Sequence, residues 1–429
     1  MNLIGIDLGT TSICGVKIDV ITGSVLQSVS KNSNAFIITT NSWEKIQSPQ
    51  TIIDLAFEII NNLIDKDTAA IGVTGQMHGI LYVDPKGNAV SPLYTWQDER
   101  GNLNYKDTTY AKYLKSFSGY GNITDFFNKE NGLRPKNAVS YCTIHDYLVM
   151  KLTGNTTPII HSTNAASFGL YDIKTNQFDY DFNAEIVCDY RVVGTYTNIP
   201  VSVAIGDNQA SVFSTLTDED ELLINIGTGS QISVISQNII NEENIETRPY
   251  FDNKYLVVGA ALCGGRAYSV LKDFYKNVVS PFTSVDDDQV YKIMDDFLKS
   301  DIDNIDKINV DTRFAGTRVD PKLRGSISNI SVENFTPSIL TYGVLMGMLQ
   351  ELNSLYSSMG VNSTGIVGSG NGLRKNPALV EIAEKTFGHK VKIPTHLEEA
   401  AVGVALFSGV SAGIYPNSFS AQNKIKYCK

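Results

Sequence analysis

Ile6-Asp7-Leu8-Gly9-Thr10-Thr11-Ser12-Ile13-Cys14-Gly15-Val16 and Ile224-Asn225-Ile226-Gly227-Thr228-Gly229-Ser230-Gln231-Ile232-Ser233-Val234 follow one pattern. Aligned without gaps, they share Ile6/Ile224, Gly9/Gly227, Thr10/Thr228, Ser12/Ser230 and Val16/Val234. Each is an apolar run, a Gly/Thr/Ser turn and a second β-prone run, which predicts a hairpin. The copies lie about half the chain apart in 429 residues, so the pattern predicts two domains of related fold.

Between the hairpins the elements alternate in the α/β manner. Pro49 to Ile64 carries a helical apolar stripe, and Ala69 to Val73 predicts a buried strand ending at Thr74-Gly75. Val139 to Leu152 predicts a helix stopped by Gly154. Pro200 to Ile205 predicts a strand that runs into Gly206-Asp207. Thr336 caps a helix with Pro337 in its first turn, and a strand at Gly365 to Gly368 leads into the turn Ser369-Gly370-Asn371-Gly372. Asn376-Pro377 opens a further helix that Gly388 closes. The domain boundary is expected near Pro200, dividing 1–203 from 204–429.

Composition narrows the function classes. The chain is 42% hydrophobic and 19% charged, as well-packed globular proteins are. A formal net charge of -10 argues against nucleic acid or an anionic membrane as partner. The five cysteines and five histidines are scattered, with no C-x-x-C pair and no zinc-type spacing, which points to reduced thiols. The first residues lack a basic signal-peptide start, and no apolar run reaches the roughly 20 residues of a membrane span, so the cytoplasm is the expected compartment.

Five segments carry candidate chemistry. In Asp7-Leu8-Gly9-Thr10-Thr11-Ser12, the glycine permits close approach while hydroxyls and N–H groups suit phosphate oxygens. Asp7 is compatible with phosphate only if a magnesium ion lies between them; otherwise this is a plain hairpin turn. Its recurrence at Gly227-Thr228-Gly229-Ser230 favours phosphate. Asp207, in Gly206-Asp207-Asn208-Gln209, follows a strand end and suits a general base, or else a helix cap. Thr74-Gly75-Gln76-Met77-His78-Gly79 presents Gln76 and His78 at another strand end, although a lone histidine is more often structural. Trp96-Gln97-Asp98-Glu99-Arg100 offers an aromatic face, carboxylates and a guanidinium to a sugar; the alternative is a surface turn with an Asp98–Arg100 ion pair. Last, Val367 to Gly372 is a glycine-rich turn that suits adenine or ribose, with Gly264-Gly265 as an opposite wall.

Taken together, DLGTTS, GQMHG, WQDER, IGDNQAS, INIGTGS, VGSGNGLRKNP and EEAAVGVAL resemble the motifs of the FGGY carbohydrate kinases, in that family's order from Asp7 to Leu406. GQMHG is similar to the xylulokinases and sedoheptulokinases rather than the glycerol kinases, and SPLYTWQDER and FAGTRVDPKLRGS are most similar to the sedoheptulokinases. The resemblance implies two actin-like, ribonuclease-H-like domains with an interdomain cleft that closes on ATP and a sugar. It implies that Asp7 and Asp207 flank magnesium, with Asp207 the general base. Gln76, Met77, His78, Trp96 and Asp98 would contact a ketose, with Asn208 and Gln209 near it. Thr10, Thr11, Ser12, Gly227 and Thr228 would meet phosphates, and Gly264, Gly265, Gly370 and Arg374 would line the adenosine site. Sedoheptulose phosphorylation is the first expectation and xylulose or another polyol the second, by a monomer or homodimer. Two departures stand out: the chain is short for the family, and Arg374 is a larger cation than some relatives carry. An actin-like ATP-driven clamp is the rival from another class, but it has no use for the Gln76, His78, Trp96 and Asp98 cluster.

Overall fold

In a computed structural model of the chain, residues 1–299, 305–317 and 319–428 are described. Arg318 of the FAGTRVDPKLRGS segment lies outside them. The chain forms two compact units, and neither is continuous. The first takes Met1–Thr217, Arg248–Lys254 and His396–Lys426; the second takes Asp218–Thr247 and Tyr255–Thr395. The boundary thus falls later than the expected division at 203/204, and a late segment of chain returns to the first unit.

The expected hairpin builds the first unit. β1 (Asn2–Leu8) and β2 (Ser12–Asp19) pair antiparallel, with Asp7 opposite Cys14, and β3 (Val25–Asn32) continues the meander. Helix α1 (Pro49–Leu63) covers the sheet with Ile52, Ile53, Ala56, Ile59, Ile60 and Leu63; Ser48 caps it and Pro49 opens it. β4 (Thr68–Gly75) lies parallel to β1 on the other side. β5 (Val192–Tyr196) and β6 (Ile199–Ser202) extend the sheet, and β7 (Ile205–Gly206) pairs with the end of β4 just before helix α2 (Asp207–Phe213). The helix expected from Val139 instead runs Ile144–Thr153. Thr143 and Asp146 form a capping box there, and Ser140–Cys142 ahead of it is a strand.

The helix Glu399–Ser411 packs on β1, β4 and α2 at backbone distance. A Cβ on Gly5 would meet the Ala401 carbonyl, one on Gly72 the Val404 carbonyl, and one on Gly403 the Ala210 carbonyl, all within about 2 Å. Three glycines therefore set the depth of this helix in the layer.

The second unit repeats the plan. β8 (Glu221–Ile226) and β9 (Ser230–Ser236) form the second hairpin, β10 (Ile245–Pro249) and β11 (Tyr255–Ala261) follow, and the sheet order is β10, β11, β9, β8, β12, β13. β12 (Gly365–Ser369) is parallel to β8, as β4 is to β1, and β13 (Val391–Lys392) stands where β6 does. The repeat of eleven residues is thus a repeat of sheet topology. Helix α3 (Gly264–Val279) and helix α4 (Pro337–Ser358, capped by Thr336) pack on this sheet around a separate apolar core. Where a turn was expected at Ser369-Gly370-Asn371-Gly372, a short helix, Gly370–Lys375, begins directly after the strand. Among the described residues no helix is long and apolar enough to cross a membrane.

Gly5→Ala should lower stability by about 1–3 kcal/mol, the range for forcing extra volume into a packed core. Urea unfolding of the variant checks this, with Gly365→Ala as the control at a glycine whose added Cβ would meet nothing closer than 3.4 Å.

Candidate active site

Three strands of the first unit end side by side, and their register brings the two expected acids together. Asp7 of β1 lies opposite Thr74 of β4, and Thr74 lies opposite Ile205 of β7, two residues before Asp207. The Thr74 hydroxyl donates to the Ile205 carbonyl at 2.7 Å, and the Gly206 N–H donates to the Thr163 hydroxyl at 3.1 Å. Carboxyl ends of parallel strands are where α/β proteins place ligands.

Burial, then the charges of Asp207 and Glu398, push the Asp7 carboxyl up to about 7. Burial pushes Asp207 up to about 6, while the Asn208 backbone N–H and the Arg248 guanidinium pull it the other way. No ion pair or side-chain hydrogen bond neutralises Asp7 among the described residues. Nor do those residues contain a cluster of three His, Cys, Asp or Glu side chains that could hold a metal by itself. Two adjacent carboxylates, of which Asp7 has no cation paired with it, fit a hard divalent cation that takes its remaining ligands from water and phosphate.

Beside this pair lies the GQMHG turn. Met77 reaches the main chain of Gly206, where an added Cβ would meet its Sδ and Cε at 2.8 Å. His78 holds a left-handed backbone (φ 72), a conformation that costs a non-glycine residue of order 1–3 kcal/mol. Its Nδ1 donates to the Ser167 carbonyl at 2.8 Å, and its ring stacks on Tyr120 at 4.3 Å. Trp96 is 48% exposed, and its indole Nε1 donates to the Thr10 hydroxyl at 3.0 Å. That same hydroxyl donates to Gln76 at 3.4 Å. Thr10 is therefore bound into the Trp96–Gln76 cluster, Thr11 is exposed and Ser12 opens β2.

Asp98 is a different matter. It is 1% exposed, and its two oxygens accept from Arg100 N, Arg100 Nε, Arg100 Nη2 and Lys45 N at 2.6–3.1 Å. With the lone pairs of both oxygens engaged, the carboxylate holds the loop in place instead of meeting a ligand. The Asp98–Arg100 ion pair is buried, not a surface pair: Arg100 is also 1% exposed, bonds Asn128 at 2.6 Å and lies 4.2 Å over the Tyr94 ring. Asn208 accepts from Arg248 at 3.2 Å, and the buried Gln209 donates to the Pro249 carbonyl at 3.0 Å, so Gln209 anchors α2.

The second unit contains a cavity of about 980 Å³ lined by Gly227, Thr228, Gly265, Gly370 and, on the α4 side, Leu345 and Met348. The turn between β8 and β9 is pinned to α3, since Gly265 N–H donates to Gly227 O and Arg266 N–H to Thr228 O, both at 2.9 Å. Gly264 serves the packing, because a Cβ there would lie 2.5 Å from the Gly229 carbonyl. Arg374 turns to the Pro394 carbonyl at 2.6 Å, and its neighbour Lys375 lines the cavity with Arg266, Tyr268 and Tyr291. At the position aligned with Asp7 stands Asn225, whose amide donates to the Ser369 hydroxyl at 2.7 Å.

Residues 2–186 match the N-terminal domain, and residues 222–412 the C-terminal domain, of the FGGY family of carbohydrate kinases. The chain belongs to that family. It is 27% identical to sedoheptulokinase of Mus musculus over 94% of this chain and 96% of that protein, and 24% identical to xylulose kinase of Staphylococcus xylosus over 95% and 90%. Among solved structures it is similar to a xylulose kinase from Brucella ovis (TM-score 0.85, 18% identity, 100% of this chain and 94% of that one). It is also similar to Plasmodium falciparum glycerol kinase with ADP (TM-score 0.79, 20% identity, 98% and 92%). The fold is the actin-like, ribonuclease-H-like α/β fold of these kinases, and the chain is a carbohydrate kinase.

In this FGGY kinase, sequence reading missed Glu398 and Arg248, the charges that bear on Asp7 and Asp207. Glu398 stands in the quoted EEAAVGVAL motif, just ahead of the helix that packs on β1, which is the signal that could have found it. Arg248 lies outside every motif and meets the site only through folding.

Three outcomes are expected. Arg100→Met leaves Asp98 buried without its cation and should cost about 3–5 kcal/mol, read from urea unfolding. Both acids have folded pKa values above the unfolded carboxylate, so the pair costs nothing in strong acid. The cost grows as pH rises from 3.8 and is complete above about 7. Magnesium should therefore raise the melting temperature more at about pH 8 than at about pH 5. Asp7→Asn should raise the metal-free melting temperature at the higher pH and abolish the magnesium effect, as differential scanning fluorimetry would show.

Proposed function

We propose that this kinase transfers the γ-phosphoryl group of ATP to the terminal hydroxyl of a ketose, with sedoheptulose as substrate and sedoheptulose 7-phosphate as product. The observation that carries the reading is the Asp7–Asp207 pair set beside Met77, His78 and the half-exposed Trp96. A nucleotide clamp would need the acids but not a strained histidine and an indole next to them.

Asp207 accepts the proton of the attacking hydroxyl. Burial brings its pKa close to the working pH, and the Asn208 N–H and Arg248 keep it from rising further. Asp7, with Asp207, would hold magnesium, which when bound neutralises the charge of the phosphates. The indole face of Trp96 suits the C–H face of a sugar, Gln76 and His78 supply polar contacts, and Met77 excludes water beside Asp207. The cavity of the second unit takes the nucleotide, with Gly227 and Thr228 towards its phosphates and Gly265, Gly370 and Lys375 around the adenosine. The protein's task in such a reaction is to position and neutralise, since the phosphoryl transfer itself needs little covalent help.

Sedoheptulose is favoured by the mouse and human sedoheptulokinases, which align over 94% of this chain at 27% and 25% identity. Xylulose is the second reading, supported by the Staphylococcus xylosus relative at 24%. A coupled ADP-release assay across sedoheptulose, xylulose, ribulose, glycerol and erythritol tests both; the highest kcat/KM on sedoheptulose is expected, and ADP release that no sugar stimulates would sink the proposal. Asp207→Asn should lower kcat by about 10²–10⁴. The wild-type kcat/KM should fall with acidification below about 6, where Asp207 takes up its proton.

A further inference from the structure

A closed ring of hydrogen bonds joins the turn after β1 to the Trp96 cluster, and its hub is a residue with no assigned role. Gln47, 0% exposed, donates through Nε2 to the Thr10 carbonyl at 2.7 Å. Its Oε1 accepts from Gln76 Nε2 at 2.9 Å. Gln76, 4% exposed, accepts through Oε1 from the Thr10 hydroxyl at 3.4 Å, which closes the ring. The indole of Trp96 donates into it at the Thr10 hydroxyl, 3.0 Å away. Each group's donor sense is set by the next, so the ring has one polarity and reversing any member breaks it. Gln47 sits in a two-residue strand paired with Leu93–Tyr94, between the apolar Ile46 and Leu93, where a buried amide is costly unless both its ends are used.

We propose that Gln47 is a positioning residue that couples sugar binding at Trp96 to phosphate binding at the Gly9–Ser12 turn, so that each ligand tightens the other. This rests on the reading of Trp96 as a sugar platform and of the turn as a phosphate site. A sugar against the half-exposed indole fixes the ring and its N–H, hence the Thr10 hydroxyl and the Gln76 amide. Through Gln47 the constraint reaches the Thr10 carbonyl and so the main chain of the turn itself. Whichever ligand arrives first bears the ordering cost, and the second binds a turn already set. Linkage makes the effect equal in both directions.

The test is MgADP affinity by calorimetry, with and without saturating sedoheptulose, in wild type, Gln47→Leu, Thr10→Val and Thr10→Ser. Sedoheptulose should tighten MgADP at least about fivefold in wild type, the low end of measured couplings. The ratio should drop below about twofold in Gln47→Leu and Thr10→Val, and survive in Thr10→Ser, which keeps the hydroxyl. If Gln47→Leu does not fold, the Thr10 pair decides. A wild type that phosphorylates sedoheptulose without tightening MgADP, or variants that all keep the wild-type ratio, would overturn the coupling alone. A wild type that turns over no sugar in the panel would overturn the ketose-kinase reading, and the coupling with it.

Discussion

The first unit is arranged around two carboxylates that repel one another. Asp7 and Asp207 belong to segments two hundred residues apart, and bringing them together in partial burial opposes folding at neutral pH. The offset comes from what holds the strand ends flush: the parallel register of β1, β4 and β7, the Thr74–Ile205 bond, and the helix Glu399–Ser411 seated on Gly5, Gly72 and Gly403. None of these contacts uses the side chains of the acids. All of them decide that the acids meet.

The second unit shows the same architecture without the stress. β8 takes the place of β1 and β12 that of β4, yet the residue matching Asp7 is Asn225, satisfied by the Ser369 hydroxyl. One half keeps an unneutralised acid and the other closes the equivalent position with a neutral hydrogen bond. The second unit instead offers a large cavity whose glycines bring backbone to its wall. Two copies of one topology thus differ at an equivalent strand end, an acid in one and an amide in the other.

Polar groups in the interior do much of the positioning. The Asp98–Arg100 pair, with Asn128 and the Tyr94 face, fixes the loop that carries Trp96, and the Gln47–Gln76–Thr10 ring fixes the turn beneath it. Buried polar networks of this kind are costly when incomplete and rigid when complete, which suits residues that must hold a geometry without taking part in chemistry.

Local pattern was enough to determine the two hairpins, the helices at Pro49 and Pro337, and the strand ends that carry Asp7, Gln76 and Asp207. Those features depend on neighbours within a few residues: alternation, caps, and glycine where the backbone must turn. Only the tertiary structure decided that the Glu399–Ser411 segment returns to the first unit, that Asp98 is sealed against Arg100, that Arg374 turns to Pro394 while Lys375 lines the cavity, and that Gln47 lies under Thr10. The reason is physical. Which partner a buried charge or amide finds depends on groups brought together by packing from distant parts of the chain, and that information is absent from spacing along the sequence.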